Sequence, residues 1–415
     1  MSSSLRVPGG GPASRHWMTV IRMLVARGAV VSLLLPVMAR AQDPAEAPPG
    51  LNDGWGVAAP AEVGLDPTRL AGLTESIRRG EFGNVHALLI ERDGKLIYEE
   101  YFRGKDWAWG SELGSVQFGR ASLHDLRSVT KSVVSTLVGI AIDRGLISSV
   151  EAPLQELLPD RADLLEGEKG EIRLRDVLTM SAGLEWDEWS VPYTDPANDE
   201  RRLFAAEDPV GFVLQRPLVD PPGSRFVYSG GLTQLLAAVV EEATGRELEG
   251  FARESLFRPL GIYDVVWRGE RGEARMPAAA SGLRLRPRDL AKLGSVFLNG
   301  GRWGDRRIVP EAWVDAATRH HVPVPLDSVP AYAADVGYGY QWWTASWRTP
   351  HGELLSPSAV GNGDQRIILV PDLGISVTML AGLYDDPSPE VGWMPDRLVI
   401  ERVLPALTGG PVERP

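Results

Sequence analysis

The stretch of sequence that most restricts the fold is residues 126–145, LRSVTKSVVSTLVGIAIDRG. From Ser128 to Arg144 the pattern of Val, Leu, Ile and Ala predicts one continuous helix. Gly145 follows at the position where a glycine commonly ends a helix. Because apolar residues lie on almost every face, we expect this helix to be buried at the centre of the molecule.

The start of this helix carries a serine and a lysine three residues apart, Ser128 and Lys131. That spacing places both side chains on one helical face, within reach of each other. Backbone N–H groups and the positive end of the helix dipole lie beside such a serine, and they can stabilise an oxyanion. The pattern favours a nucleophilic serine with a lysine base. An N-capping serine beside a lysine that extends toward solvent fits the same two residues.

Strand patterns occur toward both ends of the chain. Apolar runs at 85–90 and 95–98 flank an Asp-Gly pair, which is a strong hairpin signal. Two further runs, 366–370 and 375–380, lie near the C-terminus, and helical patterns dominate the middle. This order predicts an α+β fold, with an antiparallel sheet flanked by helices and a mostly helical lobe inserted between its strands.

Composition excludes several classes of protein. The 415 residues are 44% hydrophobic and 24% charged, an ordinary globular balance. A net charge of −12 without a basic patch argues against nucleic-acid binding. The absence of Cys excludes thiolate nucleophiles and Cys-ligated zinc. Because no metalloprotease helix, P-loop or dinucleotide-binding glycine pattern is present, we predict neither a metal nor an organic cofactor.

The N-terminus has the pattern of a secretory signal. Basic residues without acidic ones precede an apolar run at 28–38, and small residues around position 41 suit cleavage before Gln42. We therefore predict a signal peptide at 1–41, in a chain starting at Met1 or Met18, and a periplasmic or secreted protein without stable membrane insertion. An uncleaved anchor is the alternative.

The remaining chain is predicted to consist of a linker (42–60), one domain (61–407) and a tail (408–415). Within the domain, the predicted sheet lobe covers about 61–125 and 275–407, and the predicted helical lobe covers about 126–274.

Five ordered segments are similar to the serine β-lactamase and penicillin-binding-protein superfamily. The resemblance is to class C β-lactamase-like hydrolases, which include esterases and amide hydrolases such as 6-aminohexanoate-dimer hydrolase. It covers roughly residues 60–405 and implies the β-lactamase/transpeptidase-like fold. The segments are Leu126–Ser132, Asp176–Trp186, Phe226–Gly230, Gly282–Ala291 and Gly361–Arg366.

The resemblance implies specific catalytic roles. Ser128 would attack a carbonyl and form an acyl-enzyme, while Lys131 and Tyr228 would share the proton. Tyr228 would need its cationic neighbour, since an ordinary phenol with a pKa near 10 is a poor base at pH 7. The backbone N–H groups of Ser128 and Asn362 would form the oxyanion hole.

Two departures from the family pattern bear on the substrate. Gly230 stands where the family's Tyr-x-Asn motif has its Asn, so a side-chain amide is missing. Ala359-Val360-Gly361 replaces Lys/His-x-Gly, which removes the group that steers a β-lactam carboxylate. Both weaken the case for a β-lactamase or a peptidoglycan peptidase, and neither removes the groups needed for acyl transfer.

Several residues are candidates for binding the substrate. Aromatic walls suit an apolar acyl chain or a linear amide, although tryptophans equally form cores. Asp187 and Glu188 lie either at the cleft edge or exposed on a loop. The candidate substrate-binding residues are Trp186, Trp189, Trp342, Trp343, Gly361 and Arg366, the last as an anchor for a carboxylate.

We therefore predict an exported serine hydrolase that cleaves carboxylic esters or small amides. Its partner would be a small-molecule ester, amide or β-lactam-like substrate. A β-lactamase or D-alanyl peptidase is the alternative within the same chemistry. A non-catalytic binding or scaffold protein of the same fold and a hydrolase with a Ser-His pair are alternatives of other kinds.

Overall fold

The structure is a computed structural model that describes residues 44–268, 277–386, 388 and 391–408. The predicted signal segment, 1–41, and residues 409–415 of the predicted tail lie outside the described residues. No helix in the described ranges is long and apolar enough to cross a membrane.

The strands lie at both ends of the chain, as the sequence predicts. The largest sheet has ten strands in the order β1-β3-β2-β17-β16-β15-β13-β12-β11, with β14 paired to β13. It is antiparallel except that β1 runs parallel to β3. The strands are β1 Gly56–Val57, β2 Val85–Arg92, β3 Lys95–Tyr101, β4 Arg103–Ala108, β5 Ser111–Gln117, β6 His124–Asp125, β7 Val266–Trp267, β8 Leu283–Leu285, β9 Arg302–Trp303, β10 Arg306–Arg307, β11 Val322–Pro323, β12 Ala333–Tyr338, β13 Trp343–Thr349, β14 Gly352–Leu355, β15 Ser358–Gly361, β16 Gln365–Val370 and β17 Ile375–Ala381.

Most helices lie between the two groups of sheet strands. The helices are α1 Pro67–Arg78, α2 Val129–Asp143, α3 Leu154–Leu157, α4 Leu174–Leu178, α5 Asp199–Ala205, α6 Pro209–Leu214, α7 Gly230–Thr244, α8 Leu248–Ala252, α9 Pro287–Leu298, α10 Glu311–Thr318 and α11 Met394–Leu398. Helices α3 to α8 lie within the segment predicted as the helical lobe, 126–274.

The predicted hairpin is confirmed. Strands β2 and β3 pair in antiparallel register, and β17 pairs with the other edge of β2. Asp93 and Gly94 both have positive φ angles, 49° and 79°. Two consecutive left-handed residues are what a tight two-residue hairpin turn requires, which is why Asp-Gly predicts it.

The central strands of the sheet bury both faces. Leu89 and Ile367 point into a core shared with α2 and α9, whereas Leu88 and Ile368 point into a second core shared with α1 and α11. Because side chains alternate along a strand, continuous apolar runs are needed where both faces are covered.

Helix α2 is buried on nearly all sides, as its sequence predicts. Thirteen of its fifteen residues are buried, and its C-cap, Arg144, is followed by Gly145 with φ of 67°. The absence of a side chain at Gly139 lets the Trp313 ring pack against the helix, since a Cβ there would overlap that ring. The burial fixes the start of α2, and therefore Ser128, against the sheet.

The segment predicted as a linker, 42–60, joins the fold before it ends. Trp55 is buried and donates from Nε1 to the Arg288 carbonyl oxygen at 3.3 Å, and Asp53 accepts from Arg288 at 2.7 Å. The carbonyl of Pro49 accepts a further bond from the same guanidinium. A buried arginine therefore anchors part of the predicted linker to the predicted sheet lobe.

Candidate active site

Ser128 and Lys131 contact each other at the start of α2. Lys131 Nζ lies 3.1 Å from Ser128 Oγ and donates to the Ala280 carbonyl oxygen, also at 3.1 Å. The lysine is only 1% exposed, so its side chain does not reach solvent. The alternative of an N-capping serine with an extended lysine does not fit, since Ser128 makes no side-chain cap. A base within hydrogen-bond distance of a hydroxyl is the geometry that proton removal requires.

The backbone before Ser128 makes a sharp turn from strand to helix. Arg127 has a φ of 49°, in the left-handed region that is costly for a residue with a side chain. Its guanidinium lies over the Tyr384 ring, 4.9 Å from the centroid, and 3.5 Å from the Asp125 carboxylate. These contacts stabilise the turn and fix the direction in which Ser128 is presented.

Tyr228 completes the group around the serine. Lys131 Nζ lies 4.9 Å from the centroid of the Tyr228 ring. Burial raises the pKa of Tyr228 well above 10, the nearby Glu188 raises this pKa further, and a hydrogen bond with Ser128 opposes the shift. The family resemblance implied that a cationic neighbour makes Tyr228 a base. In the structure burial dominates, so Tyr228 stays a neutral hydroxyl that can pass a proton on.

Two backbone N–H groups are available for an oxyanion. Within the described part of the chain, neither the Ser128 nor the Asn362 N–H donates to a protein acceptor. Strand β15 packs tightly on the segment before Ser128, because a Cβ at Gly361 would overlap the Leu126 carbonyl oxygen. The Asn362 side chain is held by Asp385, which accepts at 2.6 Å and donates back from its N–H at 2.9 Å.

A cavity of about 380 Å³ lies at the end of β15 and is lined by Asn362 and Trp189, whereas Ser128, Lys131 and Tyr228 are not among its lining residues. Trp189 is half-exposed and stacks on the Tyr228 ring, with centroids 5.2 Å apart and planes at 20°. It also stacks on Trp343, with centroids 6.2 Å apart. Of the predicted substrate residues, the cavity is lined by Trp189, Trp343, Gly361 and Arg366.

Trp186 and Trp342, also predicted to bind substrate, do not line this cavity. Trp342 is 1% exposed and packs on Phe297, with ring centroids 4.4 Å apart. Trp186 packs on Phe212 and donates from Nε1 to Glu188 at 2.8 Å. The sequence placed four tryptophans near the cleft without distinguishing core from wall, since both environments favour large apolar rings.

Arg366 lies in the cavity wall, but its guanidinium already has protein partners. It donates to the Gly392 carbonyl oxygen and lies 3.7 Å from the Asp396 carboxylate. It is 5% exposed. The predicted role as an anchor for a substrate carboxylate would therefore compete with Asp396.

Two buried acidic residues near the site, Glu188 and Glu200, were not predicted from the sequence as part of it. Glu188 was placed at a cleft edge or on an exposed loop, yet it is 2% exposed. Glu200 is 7% exposed and was not singled out. Both side chains lie against Gly230, and the only signal in the sequence was the glycine that stands in place of an asparagine.

The histidines of the described residues lie away from Ser128. Among the described residues, the one group with metal-ligand spacing is His86, Asp106 and His124, all buried. His86 Nδ1 and His124 Nε2 share a hydrogen bond of 2.8 Å, and burial lowers the pKa of His86 to about 3. Within the described ranges no histidine contacts Ser128, so the arrangement does not support a Ser-His pair.

The chain is similar in sequence to two curated enzymes. The 6-aminohexanoate-dimer hydrolase of Paenarthrobacter ureafaciens is 26% identical over 349 residues, which cover 80% of this chain and 81% of that protein. Esterase EstB of Burkholderia gladioli is 28% identical over 189 residues, which cover 42% of this chain and 45% of the esterase.

A solved structure has the same fold. A penicillin-binding protein homologue from Caulobacter crescentus superposes with a TM-score of 0.61 at 19% identity, covering 83% of this chain and 99% of that one. The predicted fold class is thereby confirmed. The sequence model of the family described as Beta-lactamase matches residues 85–398, which is most of the described chain. The chain belongs to the beta-lactamase family.

Proposed function

We propose that this protein is a serine hydrolase that cleaves carboxylic esters or small amides through an acyl-Ser128 intermediate. The contact between Lys131 Nζ and Ser128 Oγ carries this proposal, because it joins a nucleophile and a base in a buried site. Lys131 takes the proton as the Oγ–carbon bond forms, and the carbonyl electron pair moves to the oxygen. The N–H groups of Ser128 and Asn362 stabilise that oxyanion.

The second half of the reaction returns the enzyme to its starting state. The tetrahedral intermediate collapses, the bond to the leaving group breaks, and the leaving group takes the proton from Lys131 by way of the Tyr228 hydroxyl. Water then attacks the acyl carbonyl as one of its protons passes to Lys131. The bond between the acyl carbon and Ser128 Oγ breaks, Oγ takes that proton from Lys131, and the carboxylic acid leaves.

The residues that line the cavity support the proposal that the substrates are small esters or amides. Its walls include Trp189, Trp343 and Val336, which suit an apolar acyl group. The names of the relatives agree, since one is an amide hydrolase and another an esterase.

Hydrolysis of a chromogenic cephalosporin is expected to be at least about 100-fold less efficient than that of a short-chain ester. The physical reason is that position 359 is a buried alanine where a Lys or His would steer the β-lactam carboxylate. Arg366 is engaged by Asp396 and does not replace that group. Comparable kcat/KM values for the two substrates would instead support the β-lactamase alternative.

Covalent labelling tests the proposed nucleophile directly. A fluorophosphonate probe should add its phosphonyl group to Ser128, seen by mass spectrometry of the intact protein and its peptides. Ser128→Ala should remain unlabelled, whereas Ser111→Ala, which changes an exposed serine on β5, should be labelled at the wild-type rate. Absence of labelling in the wild type would favour the non-catalytic alternative.

A further inference from the structure

Three side chains of the types that bind metal ions meet where strands β2, β4 and β6 come together. They are His86, Asp106 and His124, and each is at most 1% exposed. His86 Nδ1 lies 2.8 Å from His124 Nε2 and 3.9 Å from Asp106 Oδ1, and His124 Nε2 lies 3.6 Å from the same oxygen. The circle through these three atoms has a radius of about 2.0 Å, which is the length of a zinc bond to nitrogen or oxygen. One position is therefore at bonding distance from all three donors.

The carboxyl group of Asp106 is buried without a cationic side chain beside it. In the described part of the chain, the two imidazoles are the only basic groups within ion-pair distance of this carboxyl group. Burial lowers the pKa of both rings, so neither supplies a positive charge at pH 7. The Tyr384 hydroxyl donates to Asp106 Oδ1 at 3.2 Å and adds no charge. A buried carboxylate needs a compensating positive charge, which a bound metal ion would supply.

The hydrogen bonds of the two rings show which nitrogens can act as ligands. His124 Nδ1 lies 2.9 Å from the Asp125 carbonyl oxygen, which can only accept, so this nitrogen carries the proton. His124 Nε2 therefore presents a lone pair to His86 and Asp106. His86 Nε2 is buried and has no hydrogen-bond partner among the described residues. If the His86 proton is on Nε2, the lone pair of Nδ1 joins that of His124 beside the carboxyl oxygen, and this is the donor set of a metal site.

The His86 ring is fixed in its orientation by the backbone around it. A Cβ at Gly104 would lie 2.6 Å from His86 Nε2, and a Cβ at Gly382 would lie 2.6 Å from His86 Cε1. The Phe118 ring stacks on the same imidazole, with centroids 4.1 Å apart and planes at 14°. Because glycine at both positions lets the backbone lie directly against the ring, Nδ1 stays directed at His124 and Asp106.

We propose that His86, Asp106 and His124 bind one divalent transition-metal ion, for which zinc has the matching donor preference and bond length. Two imidazoles and one carboxylate suit zinc, whereas magnesium and calcium prefer sites built from oxygen alone. The ion is structural, since its ligands are buried and do not contact Ser128. It joins β2 to β4 and to β6, the strand that leads into the turn before Ser128.

Sequence analysis predicted no metal because it looked for ligands at the spacings of known motifs. These three ligands come from three separate strands, so only the folded chain brings them together. The proposal does not depend on the acyl-Ser128 function, and neither result of its test bears on that function.

The test measures the zinc content and the zinc affinity of the full-length protein. Protein from zinc-supplemented medium should contain about one zinc per chain by elemental analysis. After dialysis against a chelator, the protein should take up one Zn²⁺ per chain in a titration with zinc alone, with a Kd of about 1 μM or tighter. Zinc at 100 times the Kd should raise Tm by about 3 °C, since it binds the folded state. Mg²⁺ at the same concentration should leave Tm unchanged.

Variants separate this site from binding at the surface. Asp106→Asn preserves the side-chain shape but removes the carboxylate, so its zinc affinity should fall at least about tenfold. His320→Asn changes an exposed histidine beside His321 and should keep the wild-type zinc content. Loss of packing alone would lower the Tm of Asp106→Asn but preserve its increase with zinc, whereas loss of a ligand removes that increase.

Three results would overturn the proposal. Wild-type protein that takes up no zinc would show that the two histidines form only a hydrogen-bonded pair. Zinc affinity in Asp106→Asn equal to that of the wild type would exclude the carboxylate as a ligand. Loss of zinc in His320→Asn with retention in Asp106→Asn would place the bound ion at the surface.

Discussion

Replacement of Ser128 by alanine is expected to lower kcat/KM for a short-chain p-nitrophenyl ester by at least about 10³-fold. The hydroxyl is the atom that forms the acyl bond, and no other described serine contacts Lys131 Nζ. Removing it leaves a pocket and two backbone N–H groups, which supply only the part of the catalysis that binding and oxyanion stabilisation provide. Steady-state hydrolysis by the purified proteins measures the effect, with Ser111→Ala as the matched control.

Lys131→Met should cause a loss of similar size, because methionine preserves most of the length but cannot take the proton. The effects of substitutions are strongly non-additive when the residues act as one unit. The double variant Ser128→Ala/Lys131→Met should therefore be slower than either single variant by no more than a few-fold. Multiplied losses in the double variant would contradict a Ser128–Lys131 unit. Circular dichroism on each protein separates loss of activity from loss of fold.

Gly361→Ala is expected to lower kcat/KM by about 100-fold, as loss of one oxyanion donor typically does. The added Cβ would overlap the Leu126 carbonyl oxygen and lie 3.1 Å from the Gln365 Cβ and 3.2 Å from the Arg127 Cβ. A backbone oxygen in the turn before the nucleophile cannot rotate away, so β15 must move. That movement separates the Asn362 N–H from the Ser128 N–H.

The control for this prediction is Gly72→Ala on the exposed side of α1. No atom lies within 4 Å of a Cβ there, so activity should be unchanged and the free energy of unfolding should rise slightly. Thermal unfolding shows whether Gly361→Ala remains folded at the assay temperature. Full activity in Gly361→Ala would mean that the Asn362 N–H does not bind the oxyanion.

Features that depend on neighbouring residues could be predicted from the sequence. The Asp-Gly hairpin between β2 and β3, the buried helix α2 and the pair β16 and β17 all lie where their patterns place them. Turn residues and hydrophobic periodicity involve only a few neighbouring residues, so they can be recognised in the sequence. The same holds for Ser128 and Lys131, since one turn of helix is enough to bring them together.

The sequence by itself therefore determined the strand pairs, the buried helix and a serine beside a lysine. Only the tertiary structure decided which tryptophans line the cavity and which lie in the core, because burial depends on packing between distant segments. It also decided that Glu188 and Glu200 meet beside Lys131 and Ala280, four residues spread over 150 positions of chain. The pKa of Glu200 is raised by burial and by the neighbouring Glu188, and both causes exist only once the chain is folded.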